Sequence, residues 1–415
     1  MKKQREKAVI IFAIQSLQDP LFQGLMYQYI QNYNRQEKER VKFYVLTEEH
    51  ERYQMESEAQ AKLQKELEKQ DIYWNPLKYR GGRFIVLKKI YSVLGFFWKV
   101  WAIKRKHKVN TILGFLVMAG AYSYIVSRLL RMNLIIFCYE PHSEYMIDFG
   151  TWSRSSFKYK ILSYLERKEA QKADFITGPT RHSMQLLKAL RAEGKMYSVP
   201  ISVDTEKFKF NPVMRKQLRH QYQVPPDRCA ILYLGKFRGI YYNEKEVAAF
   251  CKRLVEAYPK FFIFTITPNP IEEIKTAYLE AGLKETDFVL LKEIPYRTID
   301  AYISACDIGL VAIPPLPSQK YRTPVKIGNY LSCGLPYIVT RGIADDDDLA
   351  EQKKIGVVYD SLDEKDFDLP LAQLLDLVKE DKAQQRERCR KIAIERRGIH
   401  NSVNALRDIF TQLFE

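Results

Sequence analysis

The chain of 415 residues is 46% hydrophobic and 28% charged, and its 18 Gly and 18 Pro form no low-complexity tract. That length suits two domains of about 200 residues each, and the composition excludes a disordered, collagen-like or coiled-coil protein. The net charge of +16 is one-sided: residues 1–200 hold 34 Lys and Arg against 19 Asp and Glu, residues 201–415 hold 32 against 31. A field confined to one half favours a macromolecular or surface partner that is anionic. Cys138, Cys229, Cys251, Cys306, Cys333 and Cys389 show neither paired nor metal-ligand spacing. This argues against a disulfide scaffold or a structural zinc and for a reducing cytosol.

The opening MKKQREKAVIIFAIQS has an apolar run of about six residues, too short for a signal segment. KAVIIFAI (7–14) is predicted as a buried strand, FQGLMYQYIQNYNRQ (22–36) as a helix, VKFYVLT (41–47) as a strand and EAQAKLQKELEKQD (58–71) as a polar helix. From Ile72 to Tyr139 there is no Asp or Glu and there are twelve Lys and Arg, eight of them within residues 83–108. In that segment Leu87, Tyr91, Leu94, Trp98 and Trp101 form a stripe at helical spacing, expected to face the core, while Phe96, Phe97 and Val100 fall off it among lysines. Aromatics such as Trp98 beside Lys88, Lys89, Lys104, Arg105, Lys106 and Lys108 suit the headgroup layer of an anionic membrane. Nucleic acid is the rival, but no helix-turn-helix, RRM or zinc-finger pattern accompanies the charge. No stretch reaches about 18 uncharged apolar residues, residues 109–127 coming nearest, so peripheral rather than integral association is expected.

VNTILGFL (109–116), MAGAYSYIVSRLLRM (118–132) and NLIIFCYE (133–140) read as a βαβ unit, followed by a helix over 157–173 and a strand in DFITGPT (174–180). VPISVDTEKFKFNP (199–212) has two prolines and no apolar period, as a linker between domains would. The alternation then restarts, with strands in CAILYLGKF (229–237), FFIFTITP (261–268), DFVLLKEI (287–294), DIGLVAIP (307–314), PYIVTRG (336–342) and GVVYD (356–360), helices between them and a helical C-terminus. Two doubly wound α/β domains in series follow, with ligands expected beyond the carboxyl ends of the strands.

Four loops stand there. YEPHSEYM (139–146) gathers Glu140, His142 and Glu144, an imidazole and carboxylates able to orient a polar substrate or move a proton near neutral pH, or else a turn whose charges face water. Gly235, Lys236 and Arg238 follow a strand and suit a diphosphate, though GxxxxGK[ST] is absent. In QKYRTPVKIGNYLSCGLPYIVTRG (319–342) a helix begins at Pro324 and stops at Gly334 and Pro336. Its N-terminus and Lys326 make an anion site, with Asn329 and Tyr330 one turn in for sugar hydroxyls; the plainer reading is a capped helix packed on a sheet. Asp345–Asp348 invite a metal, but acids in a helix's first turn are expected on dipole grounds alone.

TPVKIGNYLSCGLPYIV (323–339) resembles the signature of GT-B glycosyltransferases, particularly family 4, which runs approximately SPxKxxEYLAxGxPVI. ADFIT (173–177), VPISVDTEKF (199–208), LGKF (234–237) and IPYRTIDAYISACDIGLVAI (294–313) are similar to further family motifs in the same order. The resemblance implies two Rossmann-like domains facing across a cleft: an acceptor-binding and membrane-facing domain over 1–200, a sugar-nucleotide domain over 201–385, and a C-terminal helix over 386–415 returning to the first. It also implies no metal and no cofactor beyond the nucleotide sugar. Lys236 would contact the diphosphate, His142 would lie by the transferred sugar, and Gly342–Asp345 would approach its hydroxyls. Two glutamates of the family are replaced by Tyr321 and Asn329, and SLQDPLFQG (16–24) stands where a Gly-rich loop is usual. The function expected is a metal-independent, retaining glycosyltransferase in cell-surface polysaccharide biosynthesis. Its acceptor is a glycan or lipid-linked, its partner surface an anionic membrane, not nucleic acid, and its place the cytoplasm, peripheral on the inner face of the membrane. Alternatives are a sugar-nucleotide 2-epimerase of the same fold and a non-catalytic sugar-nucleotide-binding protein.

Overall fold

The computed structural model describes residues 7–79, 85–116, 118–363 and 367–415, with backbone alone along 85–90. Met1–Pro200 with His400–Glu415 form one compact unit, and Ile201–Ile399 form a second.

The first unit is built on seven parallel strands: β1 (Ala8–Ala13), β2 (Lys42–Glu49), β3 (Ile72–Lys78), β4 (Thr111–Phe115), β5 (Asn133–Phe137), β6 (Phe175–Gly178) and β7 (Lys195–Ser198). Their order is β3-β2-β1-β4-β5-β6-β7, with Ile10 opposite both Tyr44 of β2 and Ile112 of β4. All six side chains of β1 are buried, because helices cover both faces of a parallel sheet and a central strand must be apolar throughout. The helices are α1 (Pro20–Gly24), α2 (Met26–Gln36), α3 (Ser57–Glu68), α4 (Ile85–His107), α5 (Ala119–Leu130), α6 (His142–Asp148), α7 (Phe157–Lys172), α8 (Arg181–Ala189) and, from the C-terminus, α17 (His400–Phe414). On one face α17 packs on α2, Phe410 meeting Tyr33 at 5.2 Å and Phe43 at 5.9 Å. On the other, α4, α5 and α7 lie side by side, as right-handed crossovers in one direction require.

Two expectations are corrected here, and one strand is new. The helix over 22–36 is broken at Leu25 (φ −120°, ψ −95°), so that α1, capped by Asp19, and α2 are separate. Strand β3, absent from the predicted elements, carries Pro76, which the sheet tolerates because β3 is its edge. The second correction inverts a helix. In α4 the buried side chains are Phe96, Val100 and Ile103, with Phe96 stacked 4.0 Å from Phe12 of β1, while Tyr91, Leu94 and Trp98 are exposed. Both stripes repeat at helical spacing, and the aromatic ring waiting on β1 selects which one turns inward. The side chains of Leu87, Lys88 and Lys89 lie outside the described residues.

The second unit has six parallel strands, β8 (Cys229–Leu234), β9 (Phe261–Thr267), β10 (Phe288–Lys292), β11 (Ile308–Val311), β12 (Tyr337–Thr340) and β13 (Gly356–Tyr359), ordered β10-β9-β8-β11-β12-β13. Around them are α9 (Pro212–Gln221), α10 (Glu244–Ala257), α11 (Ile271–Glu280), α12 (Ile299–Ala305), α13 (Val325–Ser332), α14 (Asp346–Lys353), α15 (Asp368–Lys379) and α16 (Lys382–Arg397). Within 199–212, Val203 is buried and its N–H donates to Arg397 O at 2.7 Å, tying that stretch to the end of α16. The strand order reverses between β8 and β11, where the loops after two adjacent strands diverge and leave a crevice.

Candidate functional site

Both sides of that reversal carry anion-binding chemistry. Beyond β8 the chain turns at Gly235, whose φ of +143° favours glycine. A Cβ there would stand 2.8 Å from the ammonium nitrogen of Lys326, so the turn and the lysine occupy one place. Lys326 reaches it from the first turn of α13, which follows β11 through a short 3-10 turn, Pro317–Tyr321. Pro324 is the N-cap residue of α13 and offers no side-chain cap, so the helix's first N–H groups stay available. The Lys326 Nζ lies over the Tyr241 ring at 5.1 Å and the Tyr233 ring at 5.7 Å, and it is enclosed without a hydrogen-bond partner. Desolvation lowers its pKa from 10.5 to about 8. An enclosed cation with no anion is costly, and a protein tolerates it where a ligand supplies the charge.

Asn329, one turn further on α13, is buried with its Oδ1 unpartnered. Gln319, in the 3-10 turn, keeps an unpartnered Nε2, while its carbonyl accepts Ala344 N–H at 3.2 Å. That bond brings the loop after β12 beside the turn. In that loop Gly342 (φ +78°) has open space around its α-carbon, and its N–H donates to Asp347 at 2.8 Å. Asp345 stands at the start of α14, Asp346 is paired with Arg397, and Asp347 also accepts the Asp348 N–H at 2.9 Å. The acids thus serve the loop and α16. Among the described residues no three His, Cys, Asp or Glu side chains converge as a metal would need.

Two expected donor-site residues are elsewhere. Tyr330 is fully buried, its ring pressed on Gly309 of β11 and its hydroxyl 3.4 Å from Leu232 O; one position beyond Asn329 is 100° around the helix and faces the sheet. Arg238 (φ +68°) is held by Glu244 and Glu273, the latter at 2.8 Å. Its hydrogen bond lowers the Glu244 carboxyl, so this guanidinium is already neutralised. Lys236 beside it is exposed.

In the first unit His142 opens α6, edge-on to Tyr145 (6.1 Å) and Trp152 (6.3 Å). Glu140 is buried, 3.7 Å from the Cys138 thiol. Glu144 belongs to the surface: Arg154 and the Tyr159 hydroxyl each hold it at 2.8 Å. Sequence reasoning missed Glu166 and Glu169 on α7. Glu166 accepts the Ser143 N–H at 3.0 Å and the Ser143 hydroxyl, and burial pushes its pKa to about 7. Glu169 is wholly buried with an unpartnered Oε2 against Gly120 of α5, and its pKa is raised well above the ordinary value by burial. The signal was present: Leu162, Glu166, Glu169 and Ala170 share one helix face, an inward stripe interrupted by two carboxyls.

Residues 317–393 match the family described as "Glucosyltransferase 3-like, C-terminal domain". No curated protein matches the chain by sequence. Among solved structures the chain is similar to Anabaena HepE in complex with UDP-glucose, at 14% identity and a TM-score of 0.68, covering 98% of this chain and 99% of that one. It is similar to sucrose-phosphate synthase of Thermosynechococcus elongatus (12%, TM-score 0.69, 99% of each chain). It is also similar to WaaG, a glycosyltransferase involved in lipopolysaccharide biosynthesis (12%, TM-score 0.65, 97% of this chain and 99% of that one). The fold is therefore GT-B, with two Rossmann-like domains.

Proposed function

We propose that this protein is a glycosyltransferase that takes its sugar from a nucleoside-diphosphate donor. The enclosed, unpartnered ammonium of Lys326 beneath Gly235 carries this reading, because it lies at the strand-order reversal where α/β sheets bind ligands. UDP-glucose bound by HepE, a structure of the same fold, supports it. Lys326, Lys236 and the first N–H groups of α13 would receive the diphosphate, and Asn329 and the Gly342–Asp345 loop the sugar and ribose hydroxyls. In the transfer, the acceptor hydroxyl oxygen bonds to the anomeric carbon on the face from which the nucleoside diphosphate departs as the anomeric C–O bond to the phosphate breaks, and the hydroxyl proton passes to the departing phosphate oxygen, retaining configuration at the carbon. The charge that develops on the departing diphosphate is stabilised by lysine and helix N–H groups without a metal ion. His142 acts beside the reacting sugar, and Glu140 belongs to the same loop. The acceptor is a glycan or lipid-linked hydroxyl in cell-surface polysaccharide assembly, met by a cytoplasmic enzyme peripheral to the inner face of the membrane.

The test is calorimetric and chemical. Wild-type protein is titrated with UDP, GDP and ADP, then incubated with the corresponding sugar nucleotides. Saturable binding of one diphosphate, lost in Lys326→Met, and slow release or transfer of its sugar support the reading. An isomerised sugar nucleotide would replace it with the epimerase, and binding without turnover with a binding protein.

A further inference from the structure

The layer formed by α4, α5 and α7 has an outer side unlike the rest of the molecule. Along α7 the buried residues Leu162, Glu166, Glu169 and Ala170 mark the inner face. At 100° per residue, Phe157, Ile161 and Tyr164 fall directly opposite, and they are 75%, 44% and 59% exposed. On α4 the same construction puts Tyr91, Leu94 and Trp98 opposite the buried Phe96, Val100 and Ile103. With Leu129 of α5, these three adjacent helices hold seven of the eleven exposed large hydrophobic side chains among the described residues. Single exposed apolar residues are ordinary, but two outward stripes in one helix layer, on the two helices that flank α5, are a surface with a purpose.

The charge on this layer is of one sign. Neither α4 nor α5 contains an acid, and the two acids of α7, Glu166 and Glu169, are both buried. Lys158, Lys160 and Arg167 flank the α7 stripe on both sides, exposed, and among the described residues no acid pairs with them. Arg105 lies over the Trp101 ring at 5.0 Å and Lys168 over Tyr164 at 5.6 Å, cations laid on aromatic faces. Glu144 of neighbouring α6 is held by Arg154. A second copy of the chain would set cation against cation on such a face. An anionic lipid surface answers both features, apolar rings entering the headgroup boundary and Lys and Arg remaining with the phosphates. Among the described residues no helix is long and apolar enough to cross a membrane.

We infer that the outer face of α4, α5 and α7 is a docking surface for an anionic bilayer, lying flat on it through two parallel aromatic stripes. The inference rests on the peripheral reading above for its partner; the geometry of the face stands apart from any donor chemistry. Full-length protein is sedimented with vesicles of phosphatidylcholine alone and with added phosphatidylglycerol, at low and high salt. Binding is expected only with the anionic lipid and weakens as salt rises. Both Tyr164→Ser with Trp98→Ser, and Lys158→Gln with Lys160→Gln and Arg167→Gln, should raise the lipid concentration for half-binding roughly tenfold or more. UDP, GDP and ADP titrations on the same variants separate the claims: intact nucleotide binding with lost vesicle binding supports docking. Wild type that ignores both vesicles, binds both equally, or binds unaltered in the α7 variant overturns it. So does a wild-type dimer in sedimentation equilibrium that Tyr164→Ser with Trp98→Ser dissolves, since the face would then be an interface between copies.

Discussion

Glu166 of α7 holds the first turn of α6 through Ser143, taking that residue's N–H at 3.0 Å and its hydroxyl as well, and so fixes where His142 stands. Burial raises the folded-state pKa of Glu166 to about 7, with the Ser143 and His142 donors working against the rise and Glu144 adding to it. The neutral acid is therefore favoured in the folded unit. The stability associated with it is complete below about pH 4.5 and is lost as pH climbs through about 7, roughly 3 kcal/mol at 1.36 kcal/mol per unit. Glu169, also raised by burial, adds to the loss in the same direction. Trp74, Trp98, Trp101 and Trp152 all lie in the first unit, so urea unfolding followed by tryptophan fluorescence reports on it alone. Wild type should lose stability from pH 5 to 8 and Glu166→Gln should lose less; a flat wild-type profile would contradict the assignment.

Lys326 works in the opposite sense. Its folded pKa of about 8 lies below the ordinary 10.5, so keeping the amine charged costs stability, fully so below pH 8. Lys326→Met should raise the unfolding free energy of the ligand-free protein at pH 7 by about 1–3 kcal/mol while weakening nucleoside diphosphate binding by a similar amount. Wild-type affinity should fall as pH rises past 8, where the ammonium is lost. A variant that is less stable and binds equally well would remove Lys326 from the site.

Two neighbouring cations separate by their partners. Lys236 is exposed at the end of β8, whereas Arg238 is committed to Glu244 and Glu273. Lys236→Ala should weaken nucleoside diphosphate binding about tenfold or more, and Arg238→Gln should leave it within about twofold while loosening the turn before α10. Calorimetry on both variants, with melting temperatures, distinguishes them, and equal losses of affinity would refute the division.

His142→Ala should lower turnover far more than it weakens binding of the free nucleotide, since His142 lies in the first unit and the proposed diphosphate site in the second. Steady-state kinetics beside nucleotide titration decide the point. Near-normal turnover would leave His142 as a packing partner of Trp152.

Much of the architecture was legible before any coordinates. Strand β1 announces itself as an uninterrupted apolar run, the βαβ unit over 109–140 as a change of period, and α13 as a Pro start and a Gly stop. Those signals are local, written into neighbouring residues, and so they survive without tertiary context. The place of Lys326 in the first turn of α13 was legible as well, because a helix start marked by proline is a local pattern.

What only the tertiary structure decided is where each local choice was sent. Residues 85–107 carry apolar side chains on both sides of the helix, and periodicity treats the two alike; Phe12 on β1 draws Phe96 inward and turns Trp98 out. Arg238 looks as free as Lys236 until Glu244 and Glu273, 6 and 35 positions away, close on it. Glu166 reads as one more surface charge of α7, and it becomes the anchor of His142 because β5 and α6 bring Ser143 across 23 residues to meet it. Period and propensity act between neighbours in sequence, whereas burial and charge pairing act between neighbours in space, and only folding makes the second set known.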